Sequence, residues 1–356
     1  MKAAVISLGS ISSRWVAVAL REHFETVDEL DLKDIEVELG LKNGGVLYQG
    51  KPLEKYDCIY AKGSFRFGTL LRAITSYLSP TTYMPVNERA FTASHNKLIA
   101  HLRLQAGGVP TPKTYIVATA DAGKKLLKKL QYPLIIKLPS GTHGKGVMYA
   151  DSIESATSMI DALALLRQPF LLQEYVETGG TDTRAIVVGN SVVAGMIRSS
   201  APDDKRSNLH SGGEATPVSL DAVTKNVAIK ASRALECEIC GVDILQTPKG
   251  PLVLEVNVSP GFQCVTNATG INVAQKVAKY LFDQTVAFKK VKNAGLLDDV
   301  KKEEPVPAEG KEILTTIDFR GERIILPVLA SKISALTEGE EVMISVQKGS
   351  IIVKKK

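Results

Sequence analysis

Asp243, Glu255 and Asn257 interrupt two runs of Val, Ile and Leu, Cys240-Gly-Val-Asp-Ile-Leu245 and Gly250-Pro-Leu-Val-Leu-Glu-Val-Asn-Val-Ser-Pro-Gly261. Side chains alternate along a strand with period two, so Glu255 and Asn257 point to one face, and pairing of the runs brings Asp243 onto it. Two carboxylates and a carboxamide are hard oxygen donors suited to magnesium. Magnesium held this sparsely keeps substrate phosphates among its ligands. The spacing therefore predicts a protein that handles a nucleoside triphosphate.

Cations and a phosphate cradle lie upstream. Ser140-Gly-Thr-His-Gly-Lys-Gly146 follows the apolar run Leu134-Ile-Ile-Lys137-Leu. Its glycines let backbone N–H groups approach a phosphate, although the Gly-Lys-Ser/Thr ending of a Walker A loop is missing. Lys137 ends a buried strand, where an ammonium needs a partner, and a phosphate supplies one. Lys97 offers a second cation. Gln173-Glu-Tyr-Val-Glu177 ends another strand, where backbone groups and a carboxylate can read an adenine edge and a ribose. Asp182 and Arg184 flank the strand after it, and Arg206-Ser-Asn-Leu-His210 opens a polar loop that no core would use.

The elements that must position these residues follow from the apolar pattern. Residues 1–95 alternate strand and helix signals: Ala3–Leu8 reads as a strand, Arg14–Phe24 as a helix and Asp57–Ala61 as a strand, an α/β unit with mostly parallel strands. Ser10, Ser12, Ser13 and Arg14 occupy the first loop, where a helix cap and an anion site are both compatible with the residue types. Over 96–290 the pattern changes to antiparallel hairpins, with Ala185–Ala194 turning at Gly-Asn and helices over Ser152–Leu166 and Leu220–Leu235. Residues 291–311 are charged and Pro-interrupted, which predicts a linker. Residues 312–356 read as a small all-β unit of two hairpins, too short to bury much core alone and so expected to dimerise.

Composition excludes several classes. No apolar run approaches bilayer-spanning length, and the first residues lack a signal-peptide pattern. A net charge of +6 is mildly basic and is no nucleic-acid footprint by itself. The four cysteines, Cys58, Cys237, Cys240 and Cys264, demand no oxidising compartment, and the Cys237/Cys240 pair reads as packed thiols at a helix-to-strand junction. The expected location is cytoplasmic.

Taken in order, the pieces resemble the ATP-grasp superfamily and, within it, the RimK-like amino-acid ligases. The resemblance is carried by His95-Asn-Lys97-Leu, Ile136-Lys137-Leu, Gly141–Gly146, Gln173-Glu174-Tyr175, Thr181–Gly189, Arg206–Gly213, Gly241-Val-Asp243 and Glu255-Val-Asn257, and spans residues 1–285. It implies an α/β (α+β) ATP-grasp fold, with a Rossmann-like domain at 1–95 before an ATP-grasp domain at 96–290. It also implies roles. Lys97 and Lys137 hold ATP phosphates under the loop that contains Gly144 and Gly146. Glu174, Tyr175 and Val176 line the adenine pocket, and Asp182 contacts the nucleotide. Arg206, Ser207 and Asn208 lie beside the phosphates, while Asp243, Glu255 and Asn257 bind two magnesium or manganese ions. Arg198 stands near the acceptor and, with Lys137, serves catalysis.

The implied chemistry is amide formation: a carboxylate attacks the γ-phosphoryl group of ATP, and an amine displaces phosphate from the acylphosphate. Glutamate is the favoured donor, with a protein C-terminus or a small cofactor as the acceptor. A scaffold with a degenerate site is disfavoured, because unpaired buried acids would be costly without metal. The segment Ile317–Pro327 and the hairpin after Leu336 resemble an AbrB-type swapped-hairpin domain, with Arg320 and Arg323 at its basic positions. That likeness implies a homodimer or homotetramer. It also sustains an alternative reading, a nucleotide-sensing regulator that binds DNA through this unit and loses salt-sensitive binding when 312–356 are deleted.

Overall fold

The first strand, Lys2–Ser7, buries every residue from Ala3 onward, as expected of a central parallel strand covered on both faces. It lies between Thr26–Asp31 and Cys58–Ala61, parallel to both. A computed structural model describes residues 1–40, 44–139, 146–165, 167–199, 214–293, 318–320, 323–325, 342–347 and 350–355. The helix after the first strand, Ile11–Leu20, starts at Ser10, whose side chain accepts from the Ser13 N–H. It therefore begins three residues earlier than the apolar spacing indicates, because the serine cap decides the start. A small antiparallel sheet of Ile35–Glu38, Gly45–Tyr48 and Lys51–Pro52 completes this portion, and its short mixed-polarity strands carry no clear periodic signal.

Two antiparallel sheets follow. One has the order Thr114–Val117, Phe170–Glu174, Leu134–Lys137, Val147–Ala150, with the helices Ala120–Leu127 and Ile153–Leu165 against it. Its core, built around Leu134, Ile136, Ile160, Phe170 and Leu172, is separate from the rest. The other has the order Glu214–Pro217, Ser191–Ser199, Thr181–Val188, Ile239–Thr247, Gly250–Asn257. Helix Ala222–Ala234 packs on it, capped by Asp221, which accepts from the Thr224 N–H at 2.6 Å. The core around Ile6, Ile59 and Phe91 continues into Val242, Ile244 and Val256, so the first sheet and the five-stranded sheet share one apolar interior. Each such side chain contributes about 1.5–3 kcal/mol by leaving water.

The Gly189-Asn190 turn forms where the sequence places it, with Val188 opposite Ser191. Gly189 has φ of +60°, and a Cβ there would meet the Tyr280 ring at 2.4 Å. Tyr280 cannot easily yield, because its hydroxyl donates to Glu238 at 3.0 Å. Gly189→Ala is expected to lower stability by roughly 1–3 kcal/mol through both strain and overpacking, read as a lower urea midpoint at unchanged slope.

The chain divides into two compact units, Met1–Lys290 and Val291–Lys356. The boundary read at 95 lies inside the first unit, and the last long helix, Val273–Asn293, runs past the linker start read at 291. In the second unit Asp318–Arg320 pairs antiparallel with Arg323–Ile325, and Val342–Gln347 with Ser350–Lys355. Cys237 and Cys240 are buried free thiols at the junction of a helix and a strand. No helix among the described residues is long and apolar enough to cross a membrane.

Candidate active site

The strands Ile239–Thr247 and Gly250–Asn257 pair antiparallel, with Asp243 opposite Glu255 and Gly241 opposite Asn257. A bulge follows Asp243 and shifts the register beyond it, but the three oxygen-bearing residues stay on one side. All three line a cavity of about 670 Å³. Lys97 and Lys137 line the same cavity, and so do Glu174, Tyr175 and Val176. Asp182, Arg184 and Arg198 complete that wall. Gly146 stands at the foot of its loop, where its carbonyl accepts from the Leu138 N–H at 3.0 Å, and does not line the cavity. Gly144, Arg206, Ser207 and Asn208 lie outside the described residues.

Charge is organised by sheet register. Asp182 and Arg184 do not flank a strand but sit within Thr181–Val188, facing Arg198 and Asp243 respectively on its two neighbours. Arg198 grips Asp182 through two bonds of 2.6 Å. Arg184 grips Asp243 through two bonds of 2.7 Å, and the Arg198 Nη2 reaches Asp243 at 2.9 Å. Burial pushes the Asp243 carboxyl up, yet Arg184 and Arg198 outweigh it and hold it at about 2. Burial likewise works against the Arg198 cation, which Asp243 and Asp182 more than offset. The expectation that buried acids here lack partners without a metal is therefore corrected. Fixed guanidinium groups on adjacent strands supply the charge balance.

The lysines sit in a different balance. Asn96 caps helix Lys97–Ala106, accepting from the Leu98 and Ile99 N–H groups, and so places Lys97 at the first helical position beside the cavity. Burial lowers the Lys97 ammonium and Glu255 raises it. Lys137 donates to the Gln173 Oε1 at 2.6 Å, and burial pushes it down to about 8, with Glu255 opposing and Lys97 adding to the shift. Gln173 in turn donates to the Thr114 Oγ1 at 2.8 Å. Its remaining amide proton meets the His101 Nε2 at 3.1 Å, so that nitrogen acts as the acceptor. Burial holds the His101 ring neutral, with its ordinary value lowered to about 4. Gln173, His101 and Thr114 thus orient the phosphate-binding candidate Lys137. Reading the residues along the chain missed His101 and Thr114, since each is unremarkable until the sheet joins it to Gln173.

Glu174 accepts from the Lys113 backbone N–H at 2.8 Å, and Tyr175 stands edge-on to Tyr149 with centroids 5.2 Å apart. These contacts stiffen one end of the cavity. At the other end Asn257 can donate to Glu255 at 3.0 Å while accepting from Arg184 at 3.2 Å. No cluster of three His, Cys, Asp or Glu is present among the described residues, so the donor set for a metal is two carboxylates and an amide. Such a set fits magnesium that brings phosphate oxygens with it.

A lysine-bearing antiparallel sheet and an acid-bearing one thus share one cavity. The model of the RimK-like ATP-grasp domain matches residues 94–281. A probable alpha-L-glutamate ligase of Marinomonas sp. (strain MWYL1) is 35% identical over 302 residues, 83% of this chain and 99% of that protein. The ATP-grasp ligase PsnB, solved with minimal precursor, Mg and ADP, superimposes with a TM-score of 0.62 at 18% identity, covering 80% of this chain and 98% of that one. D-alanine–D-alanine ligase from Bacillus anthracis, solved with ATP, gives 0.57 at 16% identity, covering 82% and 99%. The chain belongs to the RimK-like ATP-grasp family, a family of ATP-dependent ligases.

Proposed function

We propose that this protein uses ATP to join a carboxylate to the amine of an amino acid, with glutamate as the favoured amino acid and a protein C-terminus or small carboxylate-bearing molecule as the acceptor. The observation that carries this reading is the convergence of Lys97 and Lys137 with Asp243, Glu255 and Asn257 on one cavity. The lysines bind the phosphates of ATP, and Glu174, Tyr175 and Val176 bound the space for the adenine. Asp243, Glu255 and Asn257 hold two magnesium or manganese ions, which would offset charge on the transferred phosphoryl group. A substrate carboxylate attacks the γ-phosphoryl group, ADP leaves, and the amine displaces phosphate from the acylphosphate. Arg198, 93% buried and bonded to both Asp182 and Asp243, acts through those two carboxylates, which it orients towards the nucleotide and the metal. Arg198 is accordingly a positioning residue, where the resemblance places it near the acceptor.

The name of the Marinomonas relative supports glutamate, and the precursor complex of PsnB supports a peptide-like acceptor. The test is release of ADP and phosphate with ATP, magnesium and a panel of amino acids, with and without a cell extract that supplies acceptors. Glutamate-dependent release is expected. Release that is equal with every amino acid, or none at all while ATP still binds, would sink the reading. For residues 291–356 we propose dimerisation through the two hairpins, in preference to DNA binding. Deleting 312–356 is then expected to change the oligomeric state, and loss of salt-sensitive DNA binding on that deletion would favour the regulator instead.

A further inference from the structure

The nucleotide and metal candidates all come from residue 97 onward, yet the cavity has a second wall. Ser7, Ser10, Ser12, Ser13, Lys62 and Ser64 line it from the first sheet and its loops. Among the described residues, every acid that lines the cavity, Glu174, Asp182, Asp243 and Glu255, comes from the later elements. Among the described residues, Lys62 is therefore the one cation of an acid-free, serine-rich wall.

Lys62 is an unusual lysine. It is 4% exposed, and its Nζ donates to the Pro260 carbonyl at 2.8 Å, 198 residues away. Its ammonium lies 4.7 Å from the centre of the Phe262 ring and 5.6 Å from that of Tyr60. Ring faces soften the cost of burying a cation, but they accept no strong hydrogen bond. No carboxylate among the described residues pairs with it, and burial is the sole cause that pushes it down to about 7. An ammonium has three donors, and one carbonyl leaves the others to be met from the cavity. The scaffold that holds it is braced: the Phe262 N–H donates to the Ser12 Oγ at 2.7 Å, and the Gly63 N–H to the Ser259 Oγ at 3.2 Å.

We propose that Lys62 and the surrounding serine wall form a carboxylate-binding subsite that holds a non-reacting carboxylate of the substrate, opposite the nucleotide. The inference rests on the ligase reading and deepens it. A substrate carboxylate supplies a charge-assisted acceptor, completes the ammonium's bonds and fixes the substrate against the phosphates. The carboxylate belongs either to the amino acid or to the acceptor, and the chemistry is the same for both.

The experiment titrates full-length protein, loaded with magnesium and the non-hydrolysable analogue AMPPNP, with L-glutamate and separately with N-acetyl-glutamyl-glutamate, followed by calorimetry. Lys62→Met removes the charge at similar volume. Ser64→Asp adds a repelling charge at an exposed position on the same wall, where folding is not at stake. Both variants are expected to weaken one probe roughly tenfold or more while AMPPNP affinity stays as in wild type. Loss of glutamate assigns the subsite to the amino acid, and loss of the peptide assigns it to the acceptor. Unchanged binding of both probes in the two variants overturns the subsite, as does failure of the wild-type protein to bind either probe. Failure to bind AMPPNP sinks the ligase reading instead.

Discussion

Replacing Asp243 by asparagine is expected to abolish amino-acid-dependent ADP release, with a loss of roughly 10³-fold or more. Asparagine keeps the shape and one oxygen donor but removes the charge that the proposed metal role of Asp243 requires. The same substitution leaves Arg184 and Arg198 facing a neutral amide in a buried setting, which is expected to cost roughly 3–5 kcal/mol of stability. The two effects separate by pH. The Asp243 carboxyl is held at about 2, below its ordinary 3.8, so its contribution is complete above 3.8 and is lost as pH falls towards 2. That contribution is about 2 kcal/mol. Acid unfolding of the wild-type protein should show this limb, and the variant should lack it. A variant that keeps both full turnover and the acid limb would remove Asp243 from the site and from the charge network together.

Arg198→Met is expected to destabilise the protein about as much as Asp243→Asn. Asp182 is 2% exposed and takes two hydrogen bonds from Arg198, and Asp243 takes a third. Truncation takes two charge-assisted hydrogen bonds from a buried carboxylate, at a cost of roughly 3–5 kcal/mol. Adding Asp182→Leu should recover part of that loss, because the buried charge that Arg198 served is then gone. Thermal unfolding of the single and double variants measures the recovery. If Arg198→Met melts with the wild type but loses turnover, Arg198 touches the reacting groups directly and the positioning role fails.

With Asp243 in its proposed metal role, divalent metal and nucleotide are expected to arrive together. The Asp243 oxygens are engaged by two guanidinium groups, so a bare metal ion must compete with fixed positive charge. Phosphate oxygens of ATP would shift that balance by giving the arginines and lysines an alternative partner.

Local pattern made much of this legible. Period-two alternation put Glu255 and Asn257 on one face, the helix read from Leu220 starts at its Asp221 cap, and the Gly189-Asn190 turn announced its hairpin, whereas the Ser10 cap moved the first helix start ahead of the apolar spacing. Lys137 stood out because an ammonium at the end of an apolar strand needs a partner. These are properties of neighbours in the chain, set by backbone geometry and by the cost of burying a polar group.

The amino-acid sequence by itself determined the strand faces, the oxygen donors and the lysines, because each depends on residue type and spacing within one or two elements. Only the tertiary structure decided which charges cancel. Arg198 meets Asp182 and Arg184 meets Asp243 through strand register, His101 reaches Gln173 across a helix and a sheet, and Lys62 meets Pro260 from the far end of the chain. Electrostatic pairing falls off over a few ångströms in space and is blind to separation along the chain, so it becomes readable only once the sheets have brought those residues together.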